Sequence, residues 1–317
     1  MAKFVNKFSW SHSAAGDFAD CRRKRFWSKY ASWGGWERTA SPECRTAYRL
    51  NKMSNRFAVQ GEAAEQAVMW LLREHQGGRA RSAQEAFDAV AKPLLRRAWD
   101  ESNGKAWSRE PKAYCLHEHY YPAFHEGTER ERMVEVADAV KACLANFLSG
   151  TLPRLADVRP KEEIPVAVVG QGDAEHFDFE GVKIYAIPDY VYVRDGVWHI
   201  VDWKSGRPKP EHAAQVGLYA LWANVKHGVA ADRIHLCLEY LQSGERAEIA
   251  VHEGILEEAR ERVRESVQDM AQYLEDADPA RNLALPKDEW DLAYDPDLCR
   301  RCPFYELCRP ELDGLLD

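Results

Sequence analysis

The sequence predicts an α/β protein with a mixed central sheet and a helical N-terminal region. Apolar residues recur at helical spacing through about the first 150 residues, and from about residue 160 they alternate as in strands. Helical spacing then returns after residue 208 and again after residue 253, and a short irregular tail follows. Helices that precede, interrupt and follow a strand region are typical of a sheet covered by helices.

Composition sets the limits of the protein class. The chain has 317 residues, of which 45% are hydrophobic and 30% charged, so a large core is expected. No apolar run approaches the ~20 residues of a membrane span, and the N-terminus lacks a signal-peptide core, so we expect a cytoplasmic protein without membrane partners. The net charge of −8 argues against a uniform nucleic-acid coat but allows a local basic channel.

Individual elements follow from caps and turn signals. We expect helices in residues 13–30 with Ser13 as N-cap, in 56–75, in 82–99 interrupted by Pro93, and in 128–150. The turn signals in "FEGVKI" and "VRDGVWHI" predict consecutive hairpins after an extended run at 164–169. A helix over 208–228, a hairpin over 233–251 and a helix over 254–277 complete the pattern.

We divide the chain into three parts of one integrated domain. Residues 1–158 form the helical region, 159–276 the strand-containing core, and 277–317 a cysteine-rich segment that packs back on the N-terminus. No internal repeat and no phosphate-binding loop of the G-x-x-x-x-G-K-[ST] type occurs, so the sequence carries no ATP-driven motor motif.

Two aspartates and a lysine stand in the predicted hairpin of residues 187–208. We place Asp189 late in one strand and Asp202 late in the next, with Lys204 on the same strand face as Asp202. Clustered carboxylates repel unless a cation lies between them, and oxygen donors suit Mg²⁺ or Mn²⁺. The alternative is a surface hairpin with an ordinary Asp–Lys pair.

Further residues appear in a fixed order around this hairpin. Gln215 and Tyr219 share one face of the following helix, and Glu65 lies four residues after Gly61 in an earlier helix. With "IPD" ending at Asp189 and "DWK" at 202–204, this order over residues 61–219 resembles the RecB-like branch of the PD-(D/E)XK nuclease superfamily. Glu65 departs from that branch, which usually has histidine there; an exposed helical glutamate is the alternative.

The resemblance implies a role for each matching residue. Asp189, Asp202 and Glu65 hold Mg²⁺ or Mn²⁺ together with the backbone carbonyl of Trp203. Lys204 activates or orients the attacking water, and Gln215 and Tyr219 position that lysine and the nucleic-acid backbone. Three neighbouring candidates are given structural interpretations instead: Glu163 as a solvated strand end, and His117 and His119 as strand residues.

The tail "CRRCPFYELC" supplies Cys299, Cys302 and Cys308, and a tetrahedral site needs a fourth thiolate. Cys21, in "SHSAAGDFADCRRKRF", resembles the N-terminal cysteine of the iron–sulfur members of the RecB-like nucleases, such as AddAB-type and CRISPR adaptation nucleases. The resemblance implies a structural [4Fe–4S] cluster that joins the two ends of the chain. Zinc or four unrelated thiols are the alternatives, and Cys44 competes as fourth ligand.

Basic residues flank the same cysteines and predict a nucleic-acid contact. They are Arg22, Arg23, Lys24, Arg25, Arg300 and Arg301, with Arg309 further on and aromatic residues Phe26, Trp27, Phe304 and Tyr305 between them. Positive charge with stacking faces suits a single strand. Basic residues that solvate helix ends are the alternative.

The combined expectation is a metal-dependent DNA nuclease. We expect an exonuclease on single-stranded or end-bearing DNA, working with a helicase, recombination or defence-system protein. One rival is a catalytically idle nucleic-acid-binding module, and another is a zinc-stabilised structural partner protein.

Overall fold

The computed structural model describes residues 5–168, 173–312 and 314. It divides the chain into two compact units. Unit 1 comprises Met1–Asn55, Ala98–Glu126 and Val263–Asp317, and unit 2 comprises Arg56–Arg97 and Gly127–Arg262. The predicted single integrated domain remains a prediction. Within the described ranges, no helix combines the length and apolar character needed to cross a bilayer.

Helices dominate the chain. The α-helices are α1 His12–Asp20, α2 Arg22–Arg25, α3 Pro42–Leu50, α4 Arg56–Gln76, α5 Ala83–Ala86, α6 Lys92–Asn103, α7 His117–Tyr120, α8 Glu129–Asn146, α9 Leu152–Leu155, α10 Pro210–His227, α11 Glu253–Ala271, α12 Pro296–Arg301 and α13 Tyr305–Cys308. The strands are β1 Ser9–Ser11, β2 His176–Phe179, β3 Val182–Tyr185, β4 Tyr190–Arg194, β5 Val197–Lys204, β6 Ile234–Tyr240 and β7 Glu245–Ala250.

The sheet of unit 2 is mixed, as predicted. Its strands lie in the order β4-β5-β6-β7, with β5 parallel to β6 and the other two pairs antiparallel. A parallel pair needs a long crossover, and α10 supplies it between β5 and β6. The buried side of α10, which includes Leu218 and Trp222, covers the sheet from one side.

Two-residue turns set the register of the hairpins. Asp195 and Gly196, between β4 and β5, both have positive φ (52° and 76°), as a type I′ turn requires. Tyr190 consequently pairs with Val201. Glu180 and Gly181 play the same part between β2 and β3. The two hairpins predicted here are confirmed.

Helix α4 forms much of the helical layer of unit 2. Its buried side carries small residues, among them Ala63, Ala64 and Ala67, which let the helix approach its neighbours closely. Leu71 and Leu72 are also fully enclosed, and α4 packs against α8.

Unit 1 has an aromatic core built from its N-terminal and C-terminal segments. Trp27 and Leu50 pack with Phe304, Cys308 and Leu312, all at most 8% exposed. This burial corrects one expectation: Trp27 and Phe304 are 1% exposed, so their ring faces belong to the core and are closed to nucleic acid.

Several local predictions need correction. The N-cap of α1 is Ser11, whose hydroxyl accepts from the amide of Ala14, and not Ser13. His117 and His119 lie in the helical turn α7 instead of a strand. Glu163 follows a 3₁₀ turn and pairs with Tyr192 through an isolated bridge, so it is not the end of a regular strand.

Two further predictions concern the helix over residues 82–99 and the extended run over residues 164–169. The predicted interruption is present but lies before Pro93: a π-helical turn over Phe87–Ala91 separates α5 from α6, and Pro93 is the second residue of α6. Residues 164–168 of the predicted extended run form no regular strand, and residue 169 lies outside the described residues.

Candidate active site and cysteine cavity

The β4–β5 hairpin brings the two aspartates together. Asp189 directly precedes β4, and Asp202 is the third residue from the end of β5. The expectation that Asp189 lies late in its strand is therefore wrong. In an antiparallel pair the start of one strand lies beside the end of the other, and this geometry, with Tyr190 opposite Val201, places Asp189 beside Asp202.

A hydrogen bond orients Asp189, and an ion pair accompanies Asp202. Oδ2 of Asp189 accepts from the backbone N–H of Trp203 at 2.7 Å. Asp202 is 1% exposed, and its Oδ2 lies 2.7 Å from Nζ of Lys204. A buried carboxylate is costly without such a partner, so the lysine compensates part of its desolvation.

Helix α10 holds the lysine from the other side. Oε1 of Gln215 accepts from Nζ of Lys204 at 2.8 Å, and Nε2 of Gln215 donates to the hydroxyl of Tyr219 at 2.8 Å. Because the amide nitrogen faces Tyr219, the amide oxygen must face Lys204. The i, i+4 spacing in the sequence predicts this shared face.

Helix α4 supplies the third carboxylate. Nε2 of Gln60 donates to the backbone oxygen of Ser205 at 3.0 Å, and a Cβ on Gly61 would lie 3.4 Å from Oγ of Ser205. Helix α4 therefore passes close to the residue that follows β5. One turn further along, Glu65 lines the same cavity as Asp189.

The three carboxylates repel one another. Burial, followed by the charges of Asp202 and Glu65, raises the pKa of Asp189 well above its usual range. Burial and the charge of Asp202 likewise raise the pKa of Glu65. Burial and the charges of both aspartates raise the pKa of Tyr219 well above that of a free phenol, so its hydroxyl stays protonated. A cation among these oxygens would relieve the repulsion.

A cavity of about 380 Å³ opens beside Glu65 and Asp189. Arg73 and Glu163 line it as well; they are joined by an ion pair of 2.6 Å, and Tyr190 donates to Glu163 at 2.8 Å. Sequence reasoning missed Arg73, although its position eight residues after Glu65 puts both on one face of α4.

His212 is a second missed residue. Nδ1 of its ring lies 3.2 Å from the hydroxyl of Tyr240, and burial and the charge of Lys204 lower its pKa. Its position in the first turn of α10, three residues before Gln215, is the only signal in the sequence.

The ligand sets are not preassembled. Among the described residues, no group of three or more His, Cys, Asp or Glu side chains is already arranged to hold a metal ion. Glu65 and Asp189 line the same cavity, and the charge of Asp202 acts on both of them.

The four predicted cluster cysteines line one cavity in unit 1. Cys21, Cys299, Cys302 and Cys308 surround it together with Lys24, Trp27 and several apolar residues. Burial raises the pKa of Cys302 to about 12 and that of Cys308 to about 11, and other cysteines of the set add to both shifts. Nε1 of Trp27 donates to Sγ of Cys308 at 3.2 Å.

The other cysteines lie elsewhere. Cys44, the competing ligand, donates to the backbone oxygen of Trp33 at 3.3 Å and does not line this cavity. Cys115, Cys143 and Cys237 are buried in the core.

The basic residues near the cysteines divide into two kinds. Arg23 is 4% exposed and bonds the backbone oxygen of Trp290 at 2.8 Å and Glu311 at 2.8 Å. Its guanidinium is thus committed to the interior, which corrects its placement on a nucleic-acid surface. Arg300 and Arg301 are exposed.

Arg22, Lys24 and Arg25 are half-buried. Arg22 donates to the backbone oxygen of Phe18, Lys24 pairs with Asp17 at 2.6 Å, and Arg25 donates to the backbone oxygen of Ser9 at 3.3 Å.

A mixed sheet whose hairpin places two aspartates and a lysine side by side, at the edge of a cavity lined by Asp189 and Glu65, has the organisation of a nuclease core. The model of the PD-(D/E)XK nuclease superfamily matches residues 9–309, and the chain belongs to that superfamily. This membership supports a nuclease role. No curated protein matches the sequence.

Proposed function

We propose that the protein is a metal-dependent deoxyribonuclease that hydrolyses phosphodiester bonds. One observation carries the proposal: Nζ of Lys204 lies 2.7 Å from Asp202 and 2.8 Å from Gln215, next to a second aspartate oriented by the amide of Trp203. A surface Asp–Lys pair would need neither the burial of Asp202 nor the second support from Gln215.

The donor set fits a divalent cation. Asp189, Asp202 and Glu65 offer only oxygen, the donor that Mg²⁺ and Mn²⁺ prefer. Burial, followed by the charge of Asp202, raises the pKa of both Asp189 and Glu65, so negative charge is concentrated at this point. These residues would hold the ion, with the carbonyl of Trp203 as a further ligand. When bound, the ion polarises the scissile phosphate and lowers the pKa of its water.

The side chains of the protein orient the attacking water and offset the charge of the phosphate. Lys204 orients the attacking water and offsets charge on the phosphate, because its ammonium is held at a fixed position by two partners. Gln215 is a positioning residue for Lys204, and Tyr219 fixes the orientation of the Gln215 amide. This arrangement is in place before substrate arrives, so no side-chain rotation is needed at the moment of reaction.

We propose DNA as the substrate, attacked from ends or in single-stranded regions. Arg300 and Arg301 offer exposed positive charge, with Arg22, Lys24 and Arg25 close in sequence to Cys21. A helicase, recombination or defence-system partner would supply such DNA. The cytoplasmic location also stays a prediction.

We propose further that Cys21, Cys299, Cys302 and Cys308 bind a [4Fe–4S] cluster. Their shared cavity and its apolar lining suit a buried cluster, and the N–H of Trp27 already donates to one sulfur. Zinc is the rival ion for four thiolates. Because the ligands join residues 21 and 299–308, the cluster restricts a long loop and acts structurally.

The test is a degradation time course on end-labelled linear DNA and covalently closed circular DNA. We expect cleavage with Mg²⁺ or Mn²⁺ and none in EDTA; loss of the linear substrate alone indicates an exonuclease. Absence of cleavage on every DNA form, with intact binding, would favour the idle nucleic-acid-binding module.

A further inference from the structure

The most exposed tryptophans of the described chain stand together in a loop of unit 1. Trp33 is 39% exposed and Trp36 is 45% exposed, whereas Trp10, Trp27, Trp222 and Trp290 are at most 2% exposed. The ring centroids of Trp33 and Trp36 lie 5.1 Å apart with their planes at 80°. Tyr48 continues the row, 5.7 Å from Trp36. We call these three residues the aromatic row.

The loop that carries the row is fixed in shape. Consecutive backbone bonds run from Gly35 to Ser32 (3.1 Å) and from Glu37 to Gly34 (2.8 Å). A Cβ on Gly35 would lie 2.3 Å from Cβ of Tyr48, so only glycine lets the loop sit this close to α3. Sγ of Cys44 also donates to the backbone oxygen of Trp33. Exposure of the tryptophans is therefore built into the fold, where burial of such rings is the usual outcome.

Positive charge accompanies the aromatic row. Arg45, Arg49 and Lys52 are spaced by four and three residues, so they lie on one face of α3 and just past its end. Tyr48, three residues after Arg45, lies on the same face. The ammonium of Lys52 lies 5.4 Å from the centre of the Tyr48 ring. Arg45 and Lys52 are exposed, and among the described residues neither has an ion-pair partner. Residues 31–53 carry four basic and two acidic side chains in a chain of net charge −8.

We infer that the aromatic row binds single-stranded nucleic acid, with bases stacked on Trp33 and Trp36 and phosphates next to Arg45 and Lys52. The inference rests on the proposed nuclease function and deepens it by naming a site in unit 1 that binds the single strand. Exposed rings flanked by unpaired cations match a strand that alternates flat bases with charged phosphates. The planes of the two tryptophans are nearly perpendicular, so each takes a separate base.

The test is fluorescence anisotropy with two labelled probes in EDTA, where cleavage is blocked. One probe is a 20-nucleotide oligo(dT) and the other is an abasic strand of equal length. We expect Trp33→Ala/Trp36→Ala to bind oligo(dT) on the order of tenfold more weakly or worse and to bind the abasic strand as wild type does, because only the stacking faces are lost. Arg45→Ala/Lys52→Ala should weaken binding of both probes and flatten the salt dependence.

Controls keep the outcome interpretable. Phe57→Ala removes another exposed aromatic ring, 62% exposed, and should leave both affinities unchanged. Trp36→Phe retains a ring face and should keep most of the affinity. If the double variant melts early, Trp36→Ala alone serves, because nearly half of that side chain is already in solvent.

The results separate this inference from the proposed function. Wild-type affinity of the double variant for oligo(dT), equal loss on both probes, or a wild type that binds neither probe would overturn the aromatic row as a base-stacking site. A protein that binds oligo(dT) through the row but cleaves nothing with Mg²⁺ or Mn²⁺ would refute the nuclease and leave the row intact.

Discussion

The backbone N–H of Trp203 donates to Oδ2 of Asp189 at 2.7 Å, so the residue between Asp202 and Lys204 orients the aspartate on the neighbouring strand. Because the backbone of Trp203 makes this bond, its indole ring is free to pack against other side chains. That ring stacks on Tyr190 at 5.8 Å and meets Phe147 edge-on at 5.8 Å. Asp189 and the segment from Asp202 to Lys204 therefore hold each other in place, and the register of the β4–β5 hairpin sets their positions.

Lys204→Ala should abolish cleavage. The substitution removes the ammonium from a position next to Asp202 and Gln215, while the β5 backbone and its sheet bonds remain. We expect a loss of at least about 10²-fold in kcat, as for other preorganised charges. Binding of DNA in EDTA should stay close to wild type, whereas the melting temperature should fall, because the buried Asp202 loses the partner that compensates its desolvation.

Gln215→Ala is the matched companion because it acts only through Lys204. It should lower kcat less than Lys204→Ala does, with KM nearly unchanged, and the double variant should be no worse than Lys204→Ala alone. Cleavage by Lys204→Ala within a few-fold of wild type would show that the lysine has another role.

Asp189→Asn should stabilise the metal-free protein at pH 8 while it abolishes metal binding. In the folded chain the pKa of Asp189 is raised by burial and by Asp202 and Glu65. The stabilising contribution of a carboxyl with a raised pKa is present below its unfolded pKa and is lost as pH rises through the folded value. The wild type therefore loses stability as the pH rises above the unfolded pKa, and the neutral amide of Asp189→Asn is spared this loss.

Scanning calorimetry in EDTA between pH 5 and pH 8 checks this prediction. We expect a melting temperature for Asp189→Asn that exceeds the wild-type value by a few °C at pH 8, with a smaller difference at pH 5. Addition of Mg²⁺ should raise the melting temperature of the wild type only. A variant that is less stable than wild type at pH 8 in EDTA would contradict the repulsion argument.

The sequence was most informative where local rules decide the structure. The Asp195-Gly196 turn determines the β4–β5 register, and the i, i+4 spacing of Gln215 and Tyr219 puts both on one face. The strand position of Asp189 was wrong because periodicity does not show where β4 begins. The burial of Arg23, Trp27 and Phe304 depends on packing between segments far apart in the sequence, which no local pattern reports. Arg73 escaped notice for the same reason: its partner Glu163 is 90 residues away.

Arg23→Ala should destabilise the fold, whereas Arg300→Ala/Arg301→Ala should not. Arg23 is buried, and its loss leaves the oxygen of Trp290 and part of Glu311 without their donor. Since the Glu311 side chain is 32% exposed, water replaces some of the pairing, and we expect a cost of roughly 2 kcal/mol.

Chemical denaturation and DNA binding separate the two classes of arginine. The exposed pair should leave the free energy of unfolding within about 0.5 kcal/mol and reduce DNA affinity more at low salt than at high salt. Normal stability of Arg23→Ala would return this residue to the surface set.

Glu65→His should preserve the site while it changes the metal preference. Histidine is the residue usual at this position in the RecB-like branch, and its nitrogen suits Mn²⁺ better than Mg²⁺. We expect cleavage by Glu65→His to depend more on Mn²⁺, whereas Glu65→Ala loses cleavage with both ions. Equal activity of Glu65→Ala and wild type would show that Glu65 is no ligand and that Asp189 and Asp202 suffice.

Cysteine substitutions distinguish the cysteine cavity from the carboxylate site. Cys21, Cys299, Cys302 and Cys308 line one cavity, so replacing any one by serine should remove iron, colour and thermal stability together. Cys44→Ser is the matched control, because this thiol is half-buried in the same unit but bonds Trp33. It should keep full iron. Asp189→Ala should also keep its iron and lose only cleavage.

Iron and acid-labile sulfide per chain, measured on anaerobically purified protein, decide among the outcomes. Full iron in Cys21→Ser, or iron loss in Cys44→Ser, would identify a different fourth ligand. Stoichiometric zinc without iron in the wild type would replace the cluster by a zinc site with the same four thiolates. In either metal state the ligands connect residue 21 to residues 299–308. Loss of one thiolate should therefore lower the melting temperature more than Cys44→Ser does, because only the ligand variants release this long loop.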